Sequence, residues 1–365
     1  MNDVPAGGRQ PRPAAKAASN PAPSSTSPTS TSPASPSPTS TASSGIAPSS
    51  AVPTQQAAAP GQDNLPVTEL LTPPARQVPA APPAETGWKR GLAGSLAFVR
   101  RRMTGDYEVD DFGYDPDFTD HVLVPPLKVL YEKWFRIETL GMENIPDTGG
   151  ALLVANHSGT VAVDALMTAV ALREHHPQKR PLRMLGADLV FQTPFLGPIS
   201  RKAGNTLACN PDAERLLASG QLVAVFPEGF KGVGKPYSQR YKLQRFGRGG
   251  FVTAAVRTGM PIIPVSIVGA EEIYPLIGNI KPLARALGFP YFPVTPTFPL
   301  LGPLGAIPLP SKWIIEFGEP IPTDEYAENA ADDPMVVFNL TDRVRETIQQ
   351  TLYRLLLRRG HPFLG

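Results

Sequence analysis

Cysteine is nearly absent from this chain of 365 residues, which contains Cys209 alone. A single cysteine excludes a framework of intrachain disulfides and fits a reducing compartment. An excess of charge of one sign is absent as well, because 34 Lys and Arg residues stand against 32 Asp and Glu residues. The resulting formal net charge of +2 gives no support for a nucleic-acid partner.

Long uninterrupted apolar runs are also missing. The most apolar long window, residues 151–172, contains Asn156, His157 and Asp164. Each of these polar side chains would need a partner inside hydrocarbon. We therefore interpret the window as a buried strand, a polar turn and a buried helix, and expect any membrane attachment to be peripheral. The beginning of the chain has no apolar region of the kind that a signal peptide needs.

Two familiar ligand-binding loops are incomplete in this sequence. Residues 229–235 approach the phosphate-binding loop of ATPases and kinases, but Pro236 stands where a Ser or Thr hydroxyl would bind magnesium. The acidic residues 106–117 approach a calcium loop, but Asp111 occupies the position that requires glycine. We therefore exclude an ATPase or kinase and interpret the acidic segment as a surface linker.

The amino-acid composition divides the chain into two parts. Residues 1–85 are mostly Ala, Pro, Ser and Thr and contain no aromatic side chain. Burial of such a segment cannot offset the entropy of ordering it, so it is predicted to be a disordered tail. The remainder is long enough for one large core. Within it we expect amphipathic helices and the acidic linker over residues 86–135, the main domain over 136–330, and a C-terminal helix over 331–365.

Strands and helices alternate along the main domain. Apolar runs bounded by Gly, Pro or Asn predict strands at residues 151–155, 182–186, 222–226, 262–268 and 313–317. Helical patterns are found at residues 161–173, 212–219, 250–258 and 273–287. This alternation predicts an α/β fold with a mixed, largely parallel sheet flanked by helices, and with amphipathic helices at its N- and C-terminal periphery. In such folds ligands collect at the loops that leave the strand ends.

The strongest local signal is a histidine between a predicted strand and a predicted helix. His157 follows strand 151–155, and Asp164 stands seven residues later. A histidine there can accept a proton while a carboxylate orients it. On one regular helix the two residues would be about 10 Å apart along the axis, so we predict that residues 158–160 form a turn that folds His157 back toward Asp164. The alternative is a helix capped by Asn156, with Asp164 as an unrelated buried carboxylate.

A second signal is the strand and loop that contain Glu228 and Gly229. Basic side chains follow this loop, at Lys231, Lys235, Arg240, Lys242, Arg245 and Arg248. Basic side chains beside glycine-rich backbone suit a phosphorylated ligand. A solvated run of charge is the alternative.

Four short blocks, in this order, resemble the glycerolipid (lysophospholipid) acyltransferase superfamily. The blocks are Asn156-His157 with Asp164, Gly204-Asn205-Thr206, Phe226-Pro227-Glu228-Gly229 and Ile263-Pro264-Val265. The interval of six residues between His157 and Asp164, where four are usual, resembles most the mono- and diacylglycerol acyltransferase-like branch. The second block usually ends in arginine in members that accept a phosphorylated lipid. Asn210 stands at that position here, so a lysophospholipid and a neutral glyceride both remain open as acceptor.

The resemblance implies an acyltransferase domain over residues 136–330, with acyl-CoA or acyl carrier protein as donor and no metal or other cofactor. It also implies that His157 and Asp164 form the catalytic pair. Together with the basic loop, it gives the expected substrate-binding residues, which are Asn156, Gly204, Asn205, Thr206, Glu228, Gly229, Lys231, Lys235 and Arg248.

The expected function is transfer of a fatty acyl group from an acyl thioester to a hydroxyl of a glycerolipid or lysophospholipid, with His157 as general base. A lipid-ester hydrolase and a noncatalytic lipid-binding protein are the alternatives. We expect a cytoplasmic protein in peripheral contact with the membrane inner face. The apolar residues 287–304 either cover the core or lie on the membrane, in which case the arginines at 100–102 and 358–359 would meet lipid phosphates.

Overall fold

The computed structural model describes residues 87–363, with the exception of Gly159 and Arg248. The tail predicted for residues 1–85 lies outside the described residues. The strands are β1 (Glu138–Leu140), β2 (Ala151–Ala155), β3 (Leu182–Gly186), β4 (Thr206–Leu207), β5 (Leu222–Val225), β6 (Ile262–Val268), β7 (Gly278–Asn279), β8 (Pro293–Val294) and β9 (Ile314–Phe317).

The helices lie mostly between these strands. They are α1 (Gly87–Thr104), α2 (Pro116–Phe118), α3 (Val124–Val129), α4 (Val163–His175), α5 (Asp188–Gln192), α6 (Leu196–Lys202), α7 (Asn210–Ala218), α8 (Phe230–Val233), α9 (Gly250–Thr258), α10 (Lys281–Ala286) and α11 (Pro334–Arg358). Two π-helical turns, Thr119–Leu123 and Leu130–Trp134, extend α2 and α3 into one longer helical segment.

Seven strands of the described part of the chain form one sheet, in the order β1-β9-β6-β2-β5-β3-β4. Strands β4, β3, β5, β2 and β6 are parallel, whereas β9 pairs with β6 in the antiparallel direction and with β1 in parallel. This confirms the predicted α/β fold with a mixed, largely parallel sheet. Because parallel strands end at one edge, the loops after β2, β5 and β6 open side by side.

Strand β2 is the centre of the sheet and is buried at every position. It pairs with β5 through Val154 and Val225, and with β6 through Val154 and Pro264. A parallel strand that is covered on both faces needs apolar residues throughout. The next residues along the chain, Asn156 and His157, therefore emerge between the loops that follow β5 and β6.

Different helices cover the two faces of β2. Leu153 packs in one core cluster with Met167 of α4. Leu152 packs in the other with Val252 of α9 and Leu352 of α11. All of these side chains are at 0% exposure, and a fully buried leucine contributes about 1.5–3 kcal/mol. The loops after β2, β5 and β6 are thus built on a core that is covered on both faces of the sheet.

One predicted helix is wrong. The pattern over residues 273–287 yields only the short helix α10, after a strand β7 that pairs with β8. Pro275, Gly278 and Pro282 fall within that range. Proline removes a backbone donor and glycine favours other backbone conformations, so this apolar pattern cannot form one continuous helix. The predicted strands, in contrast, agree with the structure to within one residue at each end.

The acidic segment is more than a surface linker. Asp110 lies 2.6 Å from Arg183, whose side chain is 3% exposed. Asp115 is fully buried and accepts two hydrogen bonds from Arg102, at 2.7 and 2.6 Å. Buried guanidinium groups require such partners. The segment therefore joins α1 to the main domain.

Two of the arginines expected to contact lipid phosphates form ion pairs with carboxylates of the protein instead. Arg359 is 3% exposed and lies 2.5 Å from Glu272. Arg102 is bound to Asp115 as described above. The expectation of lipid contact is wrong for these two arginines, because their donors are used inside the protein. Among the residues described, no helix is both long and apolar enough to cross a membrane.

Candidate active site

His157 and Asp164 meet at the carboxyl end of β2. Nδ1 of His157 lies 2.8 Å from Oδ2 of Asp164. The carboxylate also accepts the N–H groups of Ser158 and Ala165, each at 2.9 Å. The side chain of Asp164 is fully buried and that of His157 is 12% exposed. Because a carboxylate accepts hydrogen bonds, Nδ1 carries the proton of the neutral imidazole. Nε2 then has the lone pair that can accept a proton.

A turn between β2 and α4 brings the two side chains together across their spacing of seven. Helix α4 begins only at Val163, and Thr160 before it has φ of 58°. This left-handed conformation is unusual for a threonine and reverses the chain direction. Asp164 then lies in the first turn of α4, where the helix dipole favours a carboxylate. Gly159, at the middle of the predicted turn, lies outside the described residues.

Opposing effects set the pKa of His157, and the net result lies above the ordinary value of 6.5. Burial lowers it, and the Lys235 ammonium lowers it further. The Asp164 carboxylate raises it through its charge and its hydrogen bond, with a further contribution from Glu228, and together the carboxylates prevail. The neutral imidazole that can accept a proton is therefore the main form only above this raised pKa.

Glu228 holds the main chain of the candidate base. Its Oε1 accepts the N–H of His157 at 3.0 Å, and its Oε2 accepts the N–H of Gln244 at 2.6 Å. The carboxylate is 0% exposed. Its oxygens are directed at backbone donors, and the expected role of Glu228 in substrate binding stays a prediction. Glu228 joins the loop after β5 to the residue that follows β2.

Asn156 is also a structural residue. Its amide donates to Ile267 O at 3.0 Å and accepts from Ile267 N at 2.8 Å, and the residue is 0% exposed. Both ends of the amide thus extend the pairing of β2 with β6, and the expected role of Asn156 in substrate binding stays a prediction. The alternative in which Asn156 caps the helix is wrong, since Ala162 occupies the N-cap of α4.

Lys235 is buried in the structure. Its Nζ lies 3.1 Å from Glu271 Oε1 and 3.7 Å from Glu228 Oε2, and it donates to Lys242 O at 3.1 Å. The side chain is 1% exposed. The substrate-binding role expected for Lys235 stays a prediction, and in the structure its ammonium group is bound by protein groups. Arg248, expected in the same role, lies outside the described residues.

Lys231 differs from Lys235 because it is exposed and borders an open cavity. This cavity of about 490 Å³ is lined by Pro227, Glu228, Phe230, Lys231, Arg245, Phe246 and Gly247. Gly229, at the start of α8, has φ of 52°, which glycine adopts at little cost. Two basic side chains, Lys231 and Arg245, therefore border an open cavity beside the loop that contains Glu228.

The Gly204-Asn205-Thr206 block is not brought to His157. It leads into β4, which β3 and β5 separate from β2. Arg183 donates to Gly204 O at 2.9 Å, and Asn205 donates to Ser200 at 3.1 Å. Asn205 of this block instead lines a cavity of about 250 Å³, next to the helical segment of residues 116–134. Apolar side chains of α4 and α6, among them Leu166 and Ile199, line much of that cavity.

Three residues near His157 are absent from the predicted site residues, although two of them, Phe226 and Tyr291, lie in segments that the sequence analysis singled out. The ring of Phe226 lies 4.7 Å from the imidazole, measured between centroids. A side chain at Gly232 would collide with the main chain of His157, since its Cβ would lie 2.7 Å from that carbonyl oxygen. Tyr291 donates a hydrogen bond to Thr160 O. No local pattern marks such contacts, because each joins segments that are distant in sequence.

The contact of Tyr291 brings the apolar segment 287–304 beside the candidate active site. Phe289 and Phe230 line one cavity of about 570 Å³, together with residues that follow β3. Much of the segment is exposed, including Leu300 at 84% and Leu304 at 66%. The interpretation that it covers the core is therefore wrong for these side chains.

Comparison with known proteins gives consistent matches. The family model described as Acyltransferase matches residues 136–268. An uncharacterized protein of Mycobacterium tuberculosis is 59% identical over 274 residues, which is 75% of this chain and 76% of that protein. The DGAT1/2-independent enzyme synthesizing storage lipids of Bos taurus is 24% identical over 228 residues, or 60% of this chain and 64% of the enzyme.

Among solved structures, the chain is similar to the 1-acyl-sn-glycerophosphate (LPA) acyltransferase PlsC of Thermotoga maritima. The TM-score is 0.44 at 18% identity, with 75% of this chain and 99% of that chain covered. The family match spans the strands and loops that carry His157, Asp164 and Glu228. The chain therefore belongs to the glycerolipid acyltransferase superfamily, in one family with the mycobacterial protein.

Proposed function

We propose that the protein transfers a fatty acyl group from acyl-CoA or acyl carrier protein to a hydroxyl of a glycerolipid or lysophospholipid. Membership of the superfamily implies an acyl donor and a lipid acceptor as substrates. The observation that carries the proposal is the 2.8 Å contact between His157 Nδ1 and Asp164 Oδ2. It leaves Nε2 as the nitrogen that can accept a proton, on a slightly exposed imidazole at the edge of the sheet where ligands collect.

In the proposed reaction His157 is the general base. Nε2 takes the proton of the acceptor hydroxyl while that oxygen attacks the thioester carbonyl and a C–O bond forms. The tetrahedral intermediate then expels the thiolate, which receives the proton from the imidazolium. Asp164 fixes the Nδ1–H tautomer and stabilises the positive charge that His157 carries between the two transfers. No metal or cofactor takes part in this sequence of steps.

Two cavities support a lipid substrate. The cavity at Lys231 and Arg245 offers cations to a phosphate, whether it belongs to the donor or to a lysophospholipid. The apolar cavity along α4 has the character of a site for an aliphatic chain. We further propose that the enzyme is cytoplasmic and works at the membrane inner face, where the exposed segment 287–304 inserts into the interface beside the active site.

The test is an assay of the purified protein with radiolabelled acyl-CoA or acyl carrier protein. Lysophosphatidate, other lysolipids, monoacylglycerol and diacylglycerol serve as acceptors, and His157→Ala is the matched variant. We expect acceptor-dependent product with at least one lipid, and a decrease of about 10²–10⁴-fold for His157→Ala with an unchanged circular dichroism spectrum. Free fatty acid formed at the same rate without acceptor would show a hydrolase. Lipid binding without any turnover would show a noncatalytic protein.

A further inference from the structure

A buried cluster of charges lies directly behind His157. At its centre, Lys235 Nζ is 3.1 Å from Glu271 Oε1 and 3.7 Å from Glu228 Oε2. The side chains are 1%, 6% and 0% exposed, respectively. An ammonium group with so little access to water must be neutralised by these carboxylates. The cluster is therefore a fixed part of the structure and not a mobile surface contact.

This cluster reaches the candidate base through Glu228. The carboxylate accepts the N–H of His157 at 3.0 Å, while Lys235 lies on the side of its other oxygen. Glu271 is fixed in turn by Tyr241, whose N–H it accepts at 3.0 Å. Burial raises the pKa of Glu271 to about 7, although Lys235 opposes this shift. The three charges thus connect the loops after β5 and β6 to the residue after β2.

We propose that Lys235 and Glu271 are positioning residues for His157, acting through Glu228 on its backbone and through their charges on its imidazole. This inference deepens the function proposed above and rests on it. The charged groups that face the imidazole are Asp164 from α4, Glu228 from the loop after β5, and Lys235 from the loop after α8. Both side chains are almost fully buried, so the proposal assigns neither of them a direct contact with substrate.

The two residues have opposite effects on the protonation of His157. Lys235 places a positive charge near the imidazole and so disfavours the imidazolium. Its removal in Lys235→Met should raise the pKa of His157. Glu271 offsets that positive charge to the extent that it is ionised, so Glu271→Gln should lower the pKa of His157 by less than Lys235→Met raises it. A residue with only a packing role would not shift the titration in a direction set by its charge.

Glu272 provides a matched control. It follows Glu271 in the same 3₁₀ turn and is also a buried carboxylate, at 4% exposure. Its partners are Arg359, Tyr241 and Ser311, and no hydrogen bond or ion pair in the described part of the chain joins it to Lys235 or Glu228. We expect both Glu271→Gln and Glu272→Gln to lower the melting temperature. Glu272→Gln should leave the pKa of His157 unchanged.

The experiment is an NMR titration of the His157 imidazole in the full chain and in these variants, followed by steady-state kinetics. We expect the pKa of His157 to rise in Lys235→Met, to fall in Glu271→Gln, and to remain unchanged in Glu272→Gln. We also expect kcat of Lys235→Met to fall at least about tenfold, with both KM values within about twofold, because the base is displaced while substrate contacts remain.

Should Lys235→Met fail to fold, the double variant Lys235→Met/Glu271→Gln removes both partners and is better tolerated. It should still raise the pKa of His157, because Lys235 is the nearer charge. Equal shifts in Glu271→Gln and Glu272→Gln, or no shift in any variant, would overturn the proposal. The NMR titration does not require turnover. If the wild-type protein is inactive, the proposed function is refuted, and the titration still tests the positioning role of Lys235 and Glu271.

Discussion

Gly232 and His157 approach each other so closely that no side chain fits between them. A Cβ at Gly232 would lie 2.7 Å from the carbonyl oxygen of His157 and 3.0 Å from its Cβ. A contact of 2.7 Å is too short for a Cβ atom and a carbonyl oxygen, so α8 and the turn after β2 can approach this closely only through a glycine. The position of His157 therefore depends on the absence of a side chain at Gly232.

Gly232→Ala should therefore reduce kcat about tenfold or more, because the added methyl displaces His157 from its place beside Asp164. Steady-state kinetics on both substrates measures this effect. Gly278→Ala is the control, since its Cβ would have an ordinary contact of 3.5 Å with Val294. Full activity in Gly232→Ala would mean that the position of His157 is less critical than this close contact indicates.

The pH dependence of turnover follows from the raised pKa of His157. The general base must be neutral, so kcat/KM should rise with pH through a value above 6.5. In Asp164→Asn the carboxylate that raises this pKa is gone, so the acid limb of the profile should move to lower pH. Turnover should also fall about 10³–10⁴-fold, because an amide can present the wrong polarity to Nδ1. An acid limb that stays in place in Asp164→Asn would show that it reports another group.

The Arg102–Asp115 pair should stabilise the attachment of α1. Burial alone would raise the pKa of Asp115, but hydrogen bonds from Arg102 and from the N–H of Phe118 bring it below 3.8. A lowered carboxylate pKa adds stability at neutral pH, and that stability is lost as the pH falls through the folded-state value.

Asp115→Asn should therefore reduce the free energy of unfolding at pH 7 by about 1.5–3 kcal/mol, because it removes the charged hydrogen-bond partner of Arg102 and leaves only the longer contact of 3.7 Å with Asp117. Denaturant titration measures this loss. The difference from wild type should shrink as the pH falls below 3.8, the ordinary value for this carboxyl group. A difference that is independent of pH would assign the loss to packing and not to the ion pair.

The exposed part of segment 287–304 is expected to bind the lipid surface. Phe289→Glu and Leu300→Glu should weaken binding to liposomes and reduce activity on long-chain acceptors, while turnover of a short, soluble acceptor is retained. Leu357→Glu is the control, because Leu357 is 91% exposed on α11. Unchanged liposome binding in Phe289→Glu and Leu300→Glu would refute docking through this segment, and equal loss on both acceptors would indicate a packing defect.

Much of the fold can be predicted from the sequence, because the central strands are buried on both faces of the sheet. Strand β2 and strand β6 appear as continuous apolar runs, and their predicted ends coincide with the observed ones. The failed helix at 273–287 shows the limit of this approach. Apolar residues at helical spacing do not outweigh the backbone restrictions of proline and glycine, which the pattern alone does not weigh.

For the candidate site, the sequence by itself determined which groups stand at the ends of β2 and β5. It placed His157 and Glu228 in strand-end loops and Asp164 on the helix that follows β2, because strand and helix position and residue type are local properties. The tertiary structure decided what each group does there: Glu228, Asn156 and Lys235 turned inward to backbone and charge partners, while Lys231 remained open to a ligand. The physical reason is that burial and partner choice depend on loops from distant parts of the chain, and a buried polar group must be paired wherever the fold puts it.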